Sequence, residues 1–322
     1  MNMKKLVFCL FLGVSLIYSC SKEEETPIIV PQSPDGWHKI LVNSNEDFLK
    51  VIQFKEEILI FSNKHCYSSN VSDLQNWEKR EIPDHFPFLN HNKSWLTVHH
   101  NLIFFAGKQG LYSSRDAKTW EKCLNTFESF GAIASDEDLG KIYLFSGIGS
   151  YIFDDISNKA EKNSGLDSAM KCYWPRYVVI LPLSSWFDGD TIFLDGMQLS
   201  SYVNFFSVDG VHWQQRCGNL TYDICRGQKV CDDHSGISFY AVGDINIKKV
   251  GGQFLAVENY KGDYFFGGFT NEYYQDVPEG GIIVKNQNFD SAFFCQEKIN
   301  DLENTDCGLV AVGQNGAIYI YK

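Results

Sequence analysis

Residues 101–122 read NLIFFAGKQGLYSSRDAKTWEK, and their punctuation decides the fold. An apolar run over 102–106 ends at Gly107, an alternating run follows Gly110, a polar turn surrounds Asp116, and Trp120 opens a last short run. The order is strand, glycine turn, strand, polar turn, strand. The same layout recurs upstream, where residues 57–61 lead through Tyr67 and Ser69 to Asp73 and Trp77. It recurs downstream, where residues 192–194 precede NFFSVDGVHW at 204–213.

Two further copies are degenerate. Residues 147–162, GIGSYIFDDISNKAEK, align without a gap on 107–122 but place Ile156 where Asp116 stands and Ala160 where Trp120 stands, so the strands are kept and the turn motif is lost. Residues 253–275 repeat the strand order, with Tyr273 and Tyr274 near the tryptophan position. The tryptophans count the units: 40 residues separate Trp37 from Trp77, 43 separate Trp77 from Trp120, and 93 separate Trp120 from Trp213 with the degenerate copy between. Units of this length with about four short strands cannot bury both faces alone and must stack in a ring. The expectation is an all-β fold, a β-propeller of four-stranded blades over residues 33–322. Residues 313–322 align on 107–116, and the turn and outer strand missing there stand at the other end as Ser33, Asp35, Gly36 and Trp37. The N-terminal strand is therefore expected to complete a last blade built from about 282–322 plus 33–41. Six blades follow, with seven as the alternative because residues 163–200 are long for one unit.

Ser207-x-Asp209-Gly210-x-x-Trp213, and more loosely Ser114-x-Asp116-x-x-x-Trp120, resemble the Asp-box of the BNR-repeat propellers, a superfamily that includes sialidases and non-enzymatic assembly factors. The resemblance is one of fold and does not assign chemistry. It implies that these turns lie on the face opposite the usual ligand site. The motif's own physics is structural: Ser and Asp accept backbone N–H bonds, Gly supplies a positive φ, and Trp packs between blades. A sialidase site needs three arginines around a carboxylate, a tyrosine–glutamate nucleophile pair and an aspartate acid. Of the five arginines, Arg80, Arg115 and Arg216 belong to turns and outer strands, which leaves Arg176 and Arg226. The family's Arg-Ile-Pro signature is missing as well, so no catalytic residue is assigned.

The chain's start fixes an address. Residues 1–19 combine Lys4 and Lys5 with an apolar run from Leu6 that is shorter than a spanning helix requires, which reads as a signal peptide. Leu16, Ile17, Tyr18, Ser19 and Cys20 resemble the lipobox of bacterial lipoproteins, which implies lipidation of Cys20 and a membrane partnership through that anchor. Residues 20–32 form an acidic tether, and Ser21-Lys22-Glu23-Glu24-Glu25 resembles the signal that sends some lipoproteins to the outer surface. An outer-membrane lipoprotein at the cell surface is expected, with a periplasm-facing one as the alternative. Without the signal peptide 26 basic residues face 40 acidic ones, a charge of −14 that repels phosphate backbones and excludes nucleic acid as a partner.

Eight cysteines remain beyond Cys20 in a compartment that permits disulfides, and Cys225 and Cys231 bracket a short polar loop that a bridge could close. Zinc at Cys217, Cys225, Cys231 and His234 lacks the paired spacings such sites use, and His99 and His100 are expected to alternate across a strand without converging on one ion. No cofactor or metal is expected. The residues left for recognition lie in loops between blades and between second and third strands: Trp95, Trp174, Arg176, Tyr202, Tyr222, Arg226, Asp232, Asp233, His234 and Tyr260. Aromatics beside polar groups suit a glycan or a partner protein of the envelope. A non-enzymatic binding lipoprotein is the first expectation; a propeller-type glycoside hydrolase and a periplasm-facing assembly or scaffold factor are the alternatives.

Overall fold

The computed structural model divides the chain into Met1–Pro34 and Asp35–Lys322. It describes residues 36–83, 95–147, 149–173, 181–188, 190–198, 201–216, 221–225, 228–233, 236–239, 253–270, 280–285 and 288–322. The expected signal peptide at 1–19, Cys20 and the expected tether at 20–32 lie outside these residues.

After β1 (Trp37–Ile40), β2 (Phe48–Phe54), β3 (Glu57–Ser62), β4 (His65–Asn70) and β5 (Asp73–Glu81) pair in order as an antiparallel sheet. Next come β6 (Leu96–His99), β7 (Leu102–Ser114), β8 (Glu121–Asp136), β9 (Lys141–Ser146), β10 (Ser150–Asp154) and β11 (Lys159–Lys162), one six-stranded sheet. A helix, α1 (Ser164–Tyr173), precedes β12 (Leu181–Asp188), β13 (Thr191–Gln198), β14 (Ser201–Ser207) and β15 (Gln214–Arg216). Then follow β16 (Thr221–Cys225), β17 (Gln228–Asp233) and β18 (Gly236–Phe239), and the four-stranded sheet of β19 (Gln253–Tyr260), β20 (Asp263–Thr270), β21 (Gly280–Lys285) and β22 (Asn288–Cys295). In the last sheet β23 (Ile299–Thr305), β24 (Gly308–Gly313) and β25 (Ile318–Tyr321) are joined by β1, with Trp37 opposite Tyr321 and Ile40 opposite Ile318.

Second strands read as continuous apolar runs because both their faces are covered. In β3, β9 and β24 nearly every residue is buried, whereas the outer strands β5 and β11 are largely exposed. Between sheets the cover is shared. Phe48, Ile58 and Ile60 of the first sheet interlock with Val310, Val312, Ile318 and Ile320 of the last. Phe61 packs with Trp95, Ile103 and Phe105, and Phe145 with Leu194, Phe205 and Trp213. The core is thus a chain of inter-sheet layers.

The structure corrects several boundaries. β8 pairs with β7 through its first half and with β9 through its second. Divided there, the described strands fall into seven units, one more than the tryptophan spacing counts. The additional unit is β16–β18, which holds no tryptophan and whose residues read from sequence as loop. Residues 282–295 belong with β19 and β20 rather than with the last unit, which starts at Ile299. The long segment 163–200 holds α1, capped by Asn163, whose Oδ1 accepts the Gly165 N–H at 3.1 Å. A bridge between Cys225 and Cys231 also fails: Cys225 faces Gln228 while Cys231 faces Tyr222, an offset of three residues, or about 10 Å along the strand.

Candidate functional site

The Ser-x-Asp turns are closed hydrogen-bond systems. Asp209 Oδ1 accepts the N–H groups of Val211 (2.8 Å) and His212 (2.7 Å), and Ser207 Oγ donates to the His212 carbonyl at 2.8 Å. Those bonds, with the His212 side chain foremost, hold the Asp209 carboxyl far below the usual carboxylate range. Gly210 sits at φ +70° against the Tyr143 ring, and its carbonyl accepts from Trp213 Nε1 (3.0 Å) and from Asn163 (2.6 Å) across the neighbouring unit. Asp116 Oδ1 likewise accepts Lys118 N–H and Thr119 N–H, both at 2.8 Å. Arg80, buried and paired with Glu57 and Glu78, donates to the Asp116 carbonyl at 3.1 Å and ties two units together. In the degenerate turn Asp154 takes the same duty two positions earlier, accepting Ser157 N–H at 2.8 Å. The turn's hydrogen bonding survives the loss of its motif.

The expected recognition residues scatter. Trp95 is 2% exposed and edge-on to Phe61 at 6.0 Å, which leaves its ring no surface for a ligand, and Tyr260 is mostly buried beside Phe265 with only an edge on a cavity it shares with His38 and Lys261. This corrects their placement in exposed loops; both serve inter-sheet packing. Tyr222, Asp232 and Asp233 are strand residues, with Asp232 opposite Thr221 and Asp233 opposite Gly236, and Tyr202 lies in β14. Trp174, Arg176, Arg226 and His234 lie outside the described residues.

A site that sequence reasoning missed lies at the opposite end from the turns. There the β1–β2 connection, the β3–β4 turn and residues 314–316 meet: Gly316 N–H donates to the Glu46 carbonyl at 2.7 Å and Asn315 N–H to Asp47 Oδ1 at 3.1 Å. Glu46 takes His65 Nδ1 at 2.7 Å, Lys79 Nζ at 3.2 Å and the Ser62 hydroxyl, while Ser44 Oγ meets Tyr67 Oη at 3.0 Å. Burial raises the Glu46 pKa, but bonds from Ser62, Lys79, Tyr67 and His65 outweigh it and bring it down to about 2. The result is a fixed carboxylate beside an exposed ammonium and an imidazole. Its members are separated by up to 35 residues, and no local motif links them.

Along the inner strands, Lys50 Nζ pairs with Asp301 Oδ2 at 3.1 Å, and the same oxygen accepts Val51 N–H at 3.0 Å. Burial lowers the Lys50 pKa, and Asp301, Glu303 and Glu258 more than restore it. These groups lace the first and last sheets together.

One further cluster contradicts the sequence reading. His99 and His100 do converge: His99 Nε2 lies 3.2 Å and His100 Nδ1 2.8 Å from the same oxygen, Oδ2 of Asp155. The cause is backbone conformation, because His100 (φ +45°) and Asn101 (φ +61°) form a tight turn in place of a continued strand.

Stacked antiparallel units, sharing aromatic layers and carrying polar turns at one end and connections at the other, make this a β-propeller. The chain belongs to the family described as the DUF6242 beta propeller domain, whose model matches residues 37–253. No match was found among curated proteins. Among solved structures it is similar to the extracellular domain of BT4673 from B. thetaiotaomicron, described as a hybrid two-component system (TM-score 0.54, 14% identity, 89% of this chain and 39% of that one). It is also similar to streptogramin B lyase (TM-score 0.58, 11% identity, 89% of this chain and 97% of that one). The chain thus spans about two fifths of the BT4673 structure. Identities this low carry the fold alone.

Proposed function

We propose that the chain is a non-enzymatic outer-membrane lipoprotein, anchored through Cys20 and facing the cell surface, that binds a glycan or partner protein through the connection end of its propeller. One observation carries this reading. The polar groups of the described Ser-x-Asp turns are used within the turns and on neighbouring units, whereas Ser44, Glu46, His65 and Lys79 gather at the other end as a partly exposed polar patch. A carboxylate, an amine and hydroxyls in fixed positions suit the orientation of a polar ligand. Similarity to an extracellular domain agrees with an envelope address.

Because Cys20 alone supplies the acylated thiol, Cys20→Ala is expected to abolish fatty-acid labelling and to release the protein from the membrane fraction. Labelling that persists in this variant contradicts the anchor. Glycan arrays and pull-downs from envelope extracts with the full chain are expected to retrieve a ligand without hydrolysing it; turnover of a labelled glycan contradicts the non-enzymatic reading.

A further inference from the structure

The convergence of His99, His100 and Asp155 has a chemical consequence. His99 ends β6, His100 opens the β6–β7 turn, and Asp155 begins the turn after β10, so the cluster bridges the two units that share β8. His100 Nε2 lies 2.9 Å from the Glu137 carbonyl. A carbonyl only accepts, so Nε2 carries a proton, and in the neutral ring the lone pair of Nδ1 then faces the Asp155 carboxylate at 2.8 Å. A second proton on His100 would relieve that repulsion. It would do little for His99, which is fully buried, whose Nδ1 has no hydrogen-bond partner and whose Nε2 meets Asp155 Oδ2 at 3.2 Å without good hydrogen-bond alignment; Asp155 Oδ1 has no partner either. A cation held between the two rings and the carboxylate accepts the Nε2 lone pair of His99 and the Nδ1 lone pair of His100 at once and neutralises the carboxylate.

We propose that His99 Nε2, His100 Nδ1 and Asp155 Oδ2 form a binding site for a divalent transition metal ion of the zinc class. These ligand atoms all lie within 4.8 Å of one another. A tetrahedral ion with bonds of about 2.0–2.1 Å holds its ligands about 3.3 Å apart. The observed nitrogen–oxygen separations of 2.8 and 3.2 Å lie near that value, and the two nitrogens, within 4.8 Å of each other, need to approach by at most about 1.5 Å. The hydrogen bond from His100 Nε2 to a backbone carbonyl is the support that metal-bound histidines use to fix their ring and tautomer. Two imidazoles and a carboxylate select zinc, cobalt or a similar ion over magnesium or calcium, which prefer oxygen. The half-exposed His100 leaves a path for entry and a fourth position for water. The ion would clamp two successive units on the face of the Ser-x-Asp turns, in the repeat that has lost that motif.

The full-length chain without an affinity tag, stripped with a chelator and dialysed, is titrated with Zn²⁺ by calorimetry and with Co²⁺ by visible absorption. One equivalent of each ion is expected to bind, with ligand-field bands from cobalt and a higher melting temperature with zinc. His100→Ala and Asp155→Asn are expected to weaken binding about tenfold or more. His100 is exposed enough that its variant keeps the metal-free fold, which the metal-free melting curve checks, so that variant decides should Asp155→Asn not fold. No binding by the wild type, binding undiminished in His100→Ala, or a cobalt–thiolate charge-transfer band that assigns the ion to cysteine overturns the proposal.

Discussion

Deletion of residues 33–41 is expected to lower the melting temperature by on the order of 10 °C or more, while deletion of 21–30 leaves it unchanged. β1 is the outer strand of the sheet formed by β23–β25, and Trp37, 5% exposed, stacks on Phe293 at 5.7 Å and meets Tyr321 at 5.3 Å. Losing a buried tryptophan alone costs about 3–5 kcal/mol. The deletion also removes the Lys39–Glu297 ion pair and exposes the unpaired edge of β25, which invites aggregation. Thermal unfolding of both truncations checks the expectation. Equal melting temperatures contradict a structural role for β1.

Gly210→Ala is expected to cost about 2–4 kcal/mol, the sum of a left-handed backbone for a non-glycine residue and overpacking of the core. A methyl group at this position would lie 2.1 Å from a carbon of the Tyr143 ring, which is 1% exposed and held between sheets. Gly262→Ala supplies the control. Its φ of +87° is similarly strained for alanine, yet nothing lies within 4 Å of the added carbon. It should lose only the backbone part, about 1 kcal/mol. Denaturant unfolding of the two variants separates the contributions, and equal losses contradict the packing role of the Gly210 turn.

Much of this fold is legible in the sequence because glycines, Ser-x-Asp turns and tryptophans punctuate it. Residues 57–77 and 204–213 form the strands and turns that repeat predicts, and Trp213 packs edge-on against Phe145 of the preceding unit at 5.6 Å. The unit β16–β18 carries none of these marks, so its paired backbone is invisible to a count of tryptophans. Trp95 reads as loop decoration because it stands just outside a strand, whereas its burial depends on Phe61 and Phe105, which come from two different sheets. The histidine cluster escaped because strand alternation holds only until the chain turns. His100 lies one residue beyond β6, where a positive φ swings its ring back beside His99 at 4.3 Å between centroids. The Glu46 patch is legible only in three dimensions, since pairing of β3, β4 and β5 gathers Ser62, His65 and Lys79 while Ser44 and Glu46 come from the β1–β2 connection.

The two ends of the propeller have separate duties if the proposed function is right, and one paired measurement decides it. Affinity for the glycan or protein retrieved by array or pull-down is measured beside melting temperature for Lys79→Ala and Asp209→Ala. Lys79→Ala is predicted to weaken binding with little change in melting. Asp209→Ala is predicted to lower stability by about 1–2 kcal/mol through lost turn hydrogen bonds and to bind as wild type does. A folded Asp209→Ala protein that no longer binds, together with a Lys79→Ala variant that binds normally, would contradict the assignment of recognition to the connection end.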